Sequence, residues 1–235
     1  MTYWRLLPKI SAPMPFQMAL DEVLFRNMEK AGPGAEKPLL RFYFSSEPWI
    51  TTGYFETKSP DVHGVPACRR LTGGGRVLHG NDIIFSLIAG KKDHESFGSV
   101  SASYRKIHEA VKLALESAGK KPRFYQGREE LPIGAECFAF PIESDLEVNG
   151  KKIAGGSQKR SSGLLLHQES IQLQKGMEAG LLISALCRAF ADCFQLRLQD
   201  ETLDPEDWAM AKKLSRNGYE PGRFESPELV LEKIL

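Results

Sequence analysis

Arg69-Arg70-Leu71-Thr72-Gly73-Gly74-Gly75-Arg76-Val77-Leu78-His79 is the stretch on which the reading of this chain turns. Three consecutive glycines strip every Cβ from a short backbone segment, so a ligand can lie directly against it. Arginines on both sides supply fixed positive charge. On glycine count alone the segment reads as a flexible turn, and arginine pairs as solvated surface charge. Apolar sequence close on both sides argues against a linker, and Ile83 to Ile88 reads as a buried strand. No lysine and Ser/Thr follow at P-loop spacing, and there is no G-x-G-x-x-G. The expectation is a glycine loop between strands that holds an acyl or phosphorylated group in some other way.

Working outward, Phe16 to about Lys30 has helical periodicity, and Gly32 to Lys37 reads as a loop. Strands are predicted over Leu39–Phe44, Trp49–Tyr54, Ala67–Leu71 and Asp82–Ala89. Tyr104, Ile107, Val111 and Leu115 recur at helical spacing within a helix from Ser101 to Ala118. Short strands follow at Arg123–Gln126 and Ala135–Phe140. Asn149-Gly150 gives the type I′ signal for a hairpin over Leu146–Gly155. Leu164–Leu173 reads as a strand and Met177–Phe194 as a helix, with a charged, helical remainder after about Thr202. With no repeats and no linker, residues 1–235 read as one domain, the last roughly 30 a helical extension.

The chain's 235 residues suffice for a well-buried core. Lys and Arg number 31 against 30 Asp and Glu, a balance that gives no footprint for nucleic acid or membrane, so any positive site is local. The proline-broken opening lacks the apolar core of a signal peptide, and no segment is long enough to span a bilayer. A cytoplasmic location is expected. Four cysteines without a C-x-x-C pair, with five histidines, suggest neither a disulfide scaffold nor a zinc site, so no metal is expected.

Cys137, in Gly134-Ala135-Glu136-Cys137-Phe138-Ala139-Phe140-Pro141, sits between apolar neighbours, 15 residues before Lys152. A lone cysteine is most often a packed core residue, and lysines after Asn-Gly an exposed hairpin tip. A lysine near a thiol, however, favours the reactive thiolate, and it can hydrogen-bond a carbonyl oxygen as charge develops there. Ala154-Gly155-Gly156-Ser157 indicates close approach to the backbone at Lys152, which makes Lys152 more interesting than Lys151.

These segments together resemble the lipoate–protein ligase and octanoyltransferase family. Arg69–His79, Gly150-Lys151-Lys152-Ile153-Ala154-Gly155, Phe16–Glu22, Leu40–Tyr43 and Trp49–Tyr54 carry the resemblance, which runs from about Trp4 to Leu173. It implies an α+β fold shared with biotin ligases: a central mixed sheet flanked by helices, the glycine loop lining a narrow acyl tunnel. It also implies that Lys152 touches the acyl carbonyl. Arg70, Thr72, Gly73, Gly74, Gly75, His79, Gly155 and Ser157 would line the substrate site, and His79 is the candidate base for the acceptor amine.

Two chemistries use this scaffold. Cysteine-dependent members take octanoyl from acyl carrier protein through an enzyme thioester, without a nucleotide. The ligases adenylate free lipoate with ATP and Mg. Cys137-Phe138-Ala139-Phe140-Pro141 resembles the C-F-x-x-P motif of the cysteine transferases, which implies Cys137 as nucleophile and no cofactor. The implied partners are octanoyl-acyl carrier protein as donor and a lipoyl carrier domain as acceptor (glycine cleavage H protein or a dehydrogenase E2). The alternatives are an ATP-dependent ligase, an amidotransferase between carrier proteins, and an inactive acyl-binding relative. Three places depart from the family pattern. Gly80-Asn81 follows His79 where an acidic residue is commoner, and Arg76 replaces a small residue. His167-Gln168-Glu169-Ser170 stands where the family has Q-H-G-S.

Overall fold

Asp82 to Gly90 (β6) is buried at every position, which is why its sequence is apolar on both faces, Asp82 and Ser86 apart, rather than alternating. Ile83, Phe85 and Leu87 face one layer of helices, Ile84 and Ile88 the other. A computed structural model describes residues 2–32, 34–56, 64–127, 137–139 and 141–219. In it β6 lies inside an eight-stranded mixed sheet. The other strands are β1 (Tyr3–Ala12), β2 (Leu39–Ser45), β7 (Arg123–Phe124), β8 (Leu146–Val148), β9 (Lys151–Ser161), β10 (Leu164–Gln172) and β11 (Arg197–Asp200). Their order is β11-β1-β2-β6-β10-β9-β8-β7. β11, β1 and β2 run parallel, and every later pairing is antiparallel.

Helices α2 (Val100–Ser117) and α3 (Ala179–Phe194) cover one face, packing Ile107, Val111, Leu186 and Phe190 on Phe85 and Leu165. Helices α1 (Met14–Ala31) and α4 (Pro205–Gly218) cover the other, with Leu20, Leu24 and Leu214 in one core with Ile88 and Leu166. Each fully buried aliphatic or aromatic side chain here stabilises by about 2 kcal/mol. This is the α+β arrangement expected. Ser99 caps α2 by accepting from the Ala102 amide at 3.2 Å, and Asp204 caps α4 ahead of Pro205. No helix among the described residues is long and apolar enough to cross a membrane.

Several boundaries differ from the reading of the sequence. β1 was not predicted, because Pro8 interrupts its pattern; the register with β2 shifts between Leu7 and Ile10, and that irregularity accommodates a residue without an amide proton. β11 was not predicted either: it is a short edge strand, mostly exposed, with no apolar run. The strand beginning at Trp49 ends at Thr52, and α3 begins at Ala179 rather than Met177. Of the expected strand Ala135–Phe140, Cys137 to Ala139 form a turn instead, and the other three residues fall outside the described ones, as does most of the chain beyond α4. Asn149 and Gly150 have φ of 53° and 73° between β8 and β9, as the hairpin signal requires.

A second, three-stranded sheet carries the glycine loop: β3 (Trp49–Thr52) lies between β4 (Ala67–Arg69) and β5 (Val77–His79). The glycines span the connection from β4 to β5, and Gly74 has φ 86°. Just past β3, a Cβ on Gly53 would sit 2.0 Å from the Gly74 carbonyl oxygen, so the two backbones touch there.

Candidate active site

Arg70 lies inside the glycine loop, 5% exposed. Its Nη2 donates to the carbonyls of Gly73 at 2.5 Å and Gly75 at 2.9 Å, and its Nη1 to the Thr51 carbonyl at 3.3 Å. Its Nε reaches Thr72 Oγ1 at 3.1 Å and Ser157 Oγ at 3.4 Å. The guanidinium therefore acts first as the loop's internal scaffold, turning glycine carbonyls inward. Thr72 completes the tie to the large sheet: its hydroxyl donates to Gln168 Oε1 and accepts from Ser157 Oγ, both at 2.7 Å. Gln168 in turn donates at 2.7 Å to buried Asp21, which also accepts from Arg41, Tyr43 and Ser86. Arg76 pairs with Glu56 at 3.3 Å. Its carbonyl accepts the Cys137 amide at 2.8 Å, so the loop positions the cysteine through backbone.

Lys152 and Cys137 meet. Lys152 Nζ lies 3.2 Å from Cys137 Sγ and 3.1 Å from the Cys137 carbonyl oxygen. The ammonium also contacts Asp145 Oδ2 at 2.6 Å, with both side chains essentially inaccessible. Burial alone would lower the Lys152 pKa, but its electrostatic contacts and hydrogen bonds with Cys137 and Asp145 outweigh it, and the net shift is upward. Lys152 is thus held as a cation against the sulfur. Gly155 gives it room: a Cβ there would lie 2.2 Å from Lys152 Cε. Asp145 is fixed by the Tyr104 hydroxyl at 2.5 Å and the Ile142 amide at 2.7 Å. By contrast Lys151 is exposed, as a hairpin tip should be.

His79 is buried, with Nδ1 2.7 Å from Asp82 Oδ2 and Nε2 2.8 Å from Thr51 Oγ1. Asp82 also accepts from Ser170 Oγ at 2.7 Å and the Gly80 amide at 3.1 Å. Burial would raise the Asp82 pKa, but the His79 contact and these hydrogen bonds bring it below the usual carboxylate value. An ionised carboxylate accepting from Nδ1 orients the ring, so Nε2 carries the lone pair and accepts from the Thr51 hydroxyl.

These groups surround one cavity. Met14, Met18, Val77 and Ile84 form its apolar side, while Arg70, His79, Cys137 and Ser157 supply polar atoms. Gly74 and Gly155 also line it; Thr72, Gly73, Gly75 and Lys152 are not in its wall. A cavity with an apolar side that is also lined by a thiol and an oriented imidazole, with the Lys152 ammonium in contact with that thiol from outside the wall, suits a fatty acyl group with its carbonyl toward the sulfur.

Sequence reasoning missed Asp145, Tyr104, Asp82 and Gln168. Asp82 was findable, since it lies three residues from His79 in the chain. Asp145 and Tyr104 were not: 41 residues separate them, and only the fold brings them together.

The sequence pattern of the lipoyl protein ligase A/B catalytic domain matches residues 13–179. Octanoyltransferase LipM of Kyrpidia tusciae is 33% identical over 192 residues, covering 76% of this chain and 69% of its own. LipM of Clostridioides difficile is 30% identical over 188 residues, covering 76% and 68%, and that of Bacillus subtilis 32% over 185, covering 72% and 65%. Among solved structures, a lipoate-protein ligase A bound with ATP superposes with a TM-score of 0.75 at 21% identity, over 92% of this chain and 95% of its own. A bi-partite lipoate protein ligase from Thermoplasma acidophilum gives 0.69 at 20% identity, over 92% of each. The structural likeness shows the shared fold, and the sequence match shows descent: the chain belongs to the lipoyl protein ligase A/B catalytic domain family.

Proposed function

We propose that this protein is an acyltransferase that moves an octanoyl or lipoyl group from acyl carrier protein, through a thioester on Cys137, to the acceptor lysine of a lipoyl carrier domain. The observation that carries this reading is the 3.2 Å contact between the Lys152 ammonium and Cys137 Sγ, the cysteine itself lining a cavity with an apolar side. Its sequence relatives, named octanoyltransferases, support the same chemistry.

In the first half-reaction the Cys137 thiolate attacks the thioester carbonyl of the donor. The oxyanion that forms lies within reach of the Lys152 ammonium, and its collapse breaks the donor C–S bond so that the carrier sulfur leaves as a thiolate, which takes a proton from solvent. In the second, the acceptor amine attacks the acyl-enzyme, an amide bond forms, and the Cys137 sulfur leaves as thiolate. The proton lost by the amine goes by way of the Thr51 hydroxyl, which lines the cavity, to His79 Nε2 and from there to solvent, with Asp82 holding the ring through Nδ1. Exchange of a thioester for an amide is downhill, so the reaction needs no nucleotide.

The test is a choice of donors. Purified protein is incubated with a lipoyl domain and either octanoyl carrier protein without nucleotide, or free lipoate with ATP and Mg. The product is read by intact mass. Acylation of the domain from the carrier alone is expected; acylation only with lipoate and ATP would make the protein a ligase.

A further inference from the structure

A second cluster adjoins the site: His108 on α2 with His167 and Glu169 on β10, all buried, of which Glu169 also lines the cavity that Cys137 lines. Glu169 Oε2 lies 2.8 Å from His108 Nε2 and 2.8 Å from His167 Nε2. Its carboxylate passes over Gly156, where a Cβ would come within 2.3 Å of Oε2. Burial would raise the Glu169 pKa, but the two histidines bring it down to about 2. His108, which burial would lower, is raised by Glu169 and by the carbonyl of Ser144; His167 is lowered by its burial.

The residue types suit a metal, but the hydrogen bonds do not. Arg160 Nε donates to Gln158 Oε1 at 3.2 Å, which turns the Gln158 amide nitrogen toward His167 Nδ1, also at 3.2 Å. With Nδ1 accepting, the proton of neutral His167 sits on Nε2 and goes to Glu169, leaving no lone pair there for an ion.

The other end of the cluster leads to the active site. His108 Nδ1 donates to the Ser144 carbonyl at 2.5 Å. Ser144 has φ 74°, a left-handed conformation that costs a non-glycine residue about 1 kcal/mol. The next residue is Asp145, which holds the Lys152 ammonium at 2.6 Å. The turn is further tied by Asp145 N to Ile142 O and Ser144 N to Tyr125 O, both at 3.0 Å. Tyr104, which donates to Asp145, packs its ring 4.3 Å from that of His108.

We infer that His108, clamped by Glu169, is a positioning residue for the reactive pair: it holds the strained Ser144 turn, which sets Asp145, which sets Lys152 against Cys137. The inference rests on the reading of Cys137 as nucleophile and Lys152 as its partner. Glu169 stands where the motif that the sequence resembles has glycine, which could not make these contacts.

The test separates the two ends of the His108 ring. His108→Asn places an amide nitrogen near Nδ1 and keeps a donor for Ser144. His108→Gln places it near Nε2 and keeps only the contact to Glu169. Cys137 alkylation by iodoacetamide at pH 7, read by peptide mass mapping, needs no donor or acceptor protein. The rate is expected to fall about fivefold in His108→Gln, the effect of one ordinary hydrogen bond, and to stay within about twofold in His108→Asn. Equal loss in both, or loss in neither, overturns the inference. Glu169→Gln serves if a His108 variant does not fold: the clamp predicts a slower rate there too, and a wild-type rate overturns it. Lys152→Met is run alongside. An unchanged rate in that variant contradicts the Cys137–Lys152 reading itself, which keeps the two failures distinct.

Discussion

One methyl group added at Gly155 tests whether the geometry around Lys152 matters. In Gly155→Ala the new Cβ would lie 2.2 Å from Lys152 Cε, 2.5 Å from its Nζ and 3.1 Å from Asp145 Oδ1. Carbon atoms in contact sit at about 3.5 Å or more, so the lysine side chain must withdraw by roughly 1.3 Å. Its 3.2 Å contact to Cys137 Sγ and 2.6 Å contact to Asp145 do not survive that displacement. Loss of one positioned oxyanion donor costs about 10²-fold or more in rate. Overpacking adds a stability cost of about 1–3 kcal/mol, which in a chain this long lowers Tm by a few degrees. Single-turnover acylation from octanoyl carrier protein, quenched and read by intact mass, measures the rate, and a thermal melt measures the rest. Gly180→Ala is the control: on α3 its Cβ meets nothing within 4 Å, so rate and Tm should match or slightly exceed wild type. If folded Gly155→Ala acylates at the wild-type rate, the account of Lys152 is wrong.

Gly53→Ala should be harsher on stability. Its Cβ would meet the backbone of Gly74 and Gly73 at 2.0–3.1 Å, and backbone cannot rotate away as a lysine tip can. A loss of about 2–3 kcal/mol in urea melts is expected, with a raised KM for donor because the glycine loop must shift. The buried His108–Glu169 pair predicts pH dependence on two sides. Glu169 titrates at about 2 when folded against 4.5 ordinarily, so its contribution is present above pH 4.5 and lost as pH falls toward 2. That difference corresponds to about 3 kcal/mol. His108 is shifted upward, so its share is complete below its ordinary value of about 6.5 and is lost as pH rises through its raised value. Urea melts from pH 3 to 9 should show both limbs in wild type and flatter ones in Glu169→Gln; identical profiles would contradict the pairing.

Much of the fold is legible in the amino-acid sequence. β6 announces itself by an apolar run broken only at Ser86, the β8–β9 hairpin by Asn149-Gly150, and α1 by its periodicity. β1 hides behind Pro8, and β11 is a short edge strand with no apolar run. At the site, the glycine loop and Lys152 can be found because small residues at fixed spacing record close backbone approach. Arg70 was expected to present charge to a ligand; much of its hydrogen bonding goes to Gly73, Gly75 and Thr51, which only three-dimensional contacts reveal. The same holds for Asp145 beneath Lys152 and for the His108–Glu169 clamp, whose members lie 61 residues apart. Side chains that converge from distant strands leave no periodic trace in a single sequence.

The central claim is that Cys137 carries the acyl group. Protein incubated with octanoyl carrier protein, without nucleotide or acceptor, should gain one octanoyl group that maps to the peptide containing Cys137. Neutral hydroxylamine should remove it, and Cys137→Ala should show none. An adduct that persists on Cys137→Ala, or transfer to a lipoyl domain by that variant at the wild-type rate, would contradict the account.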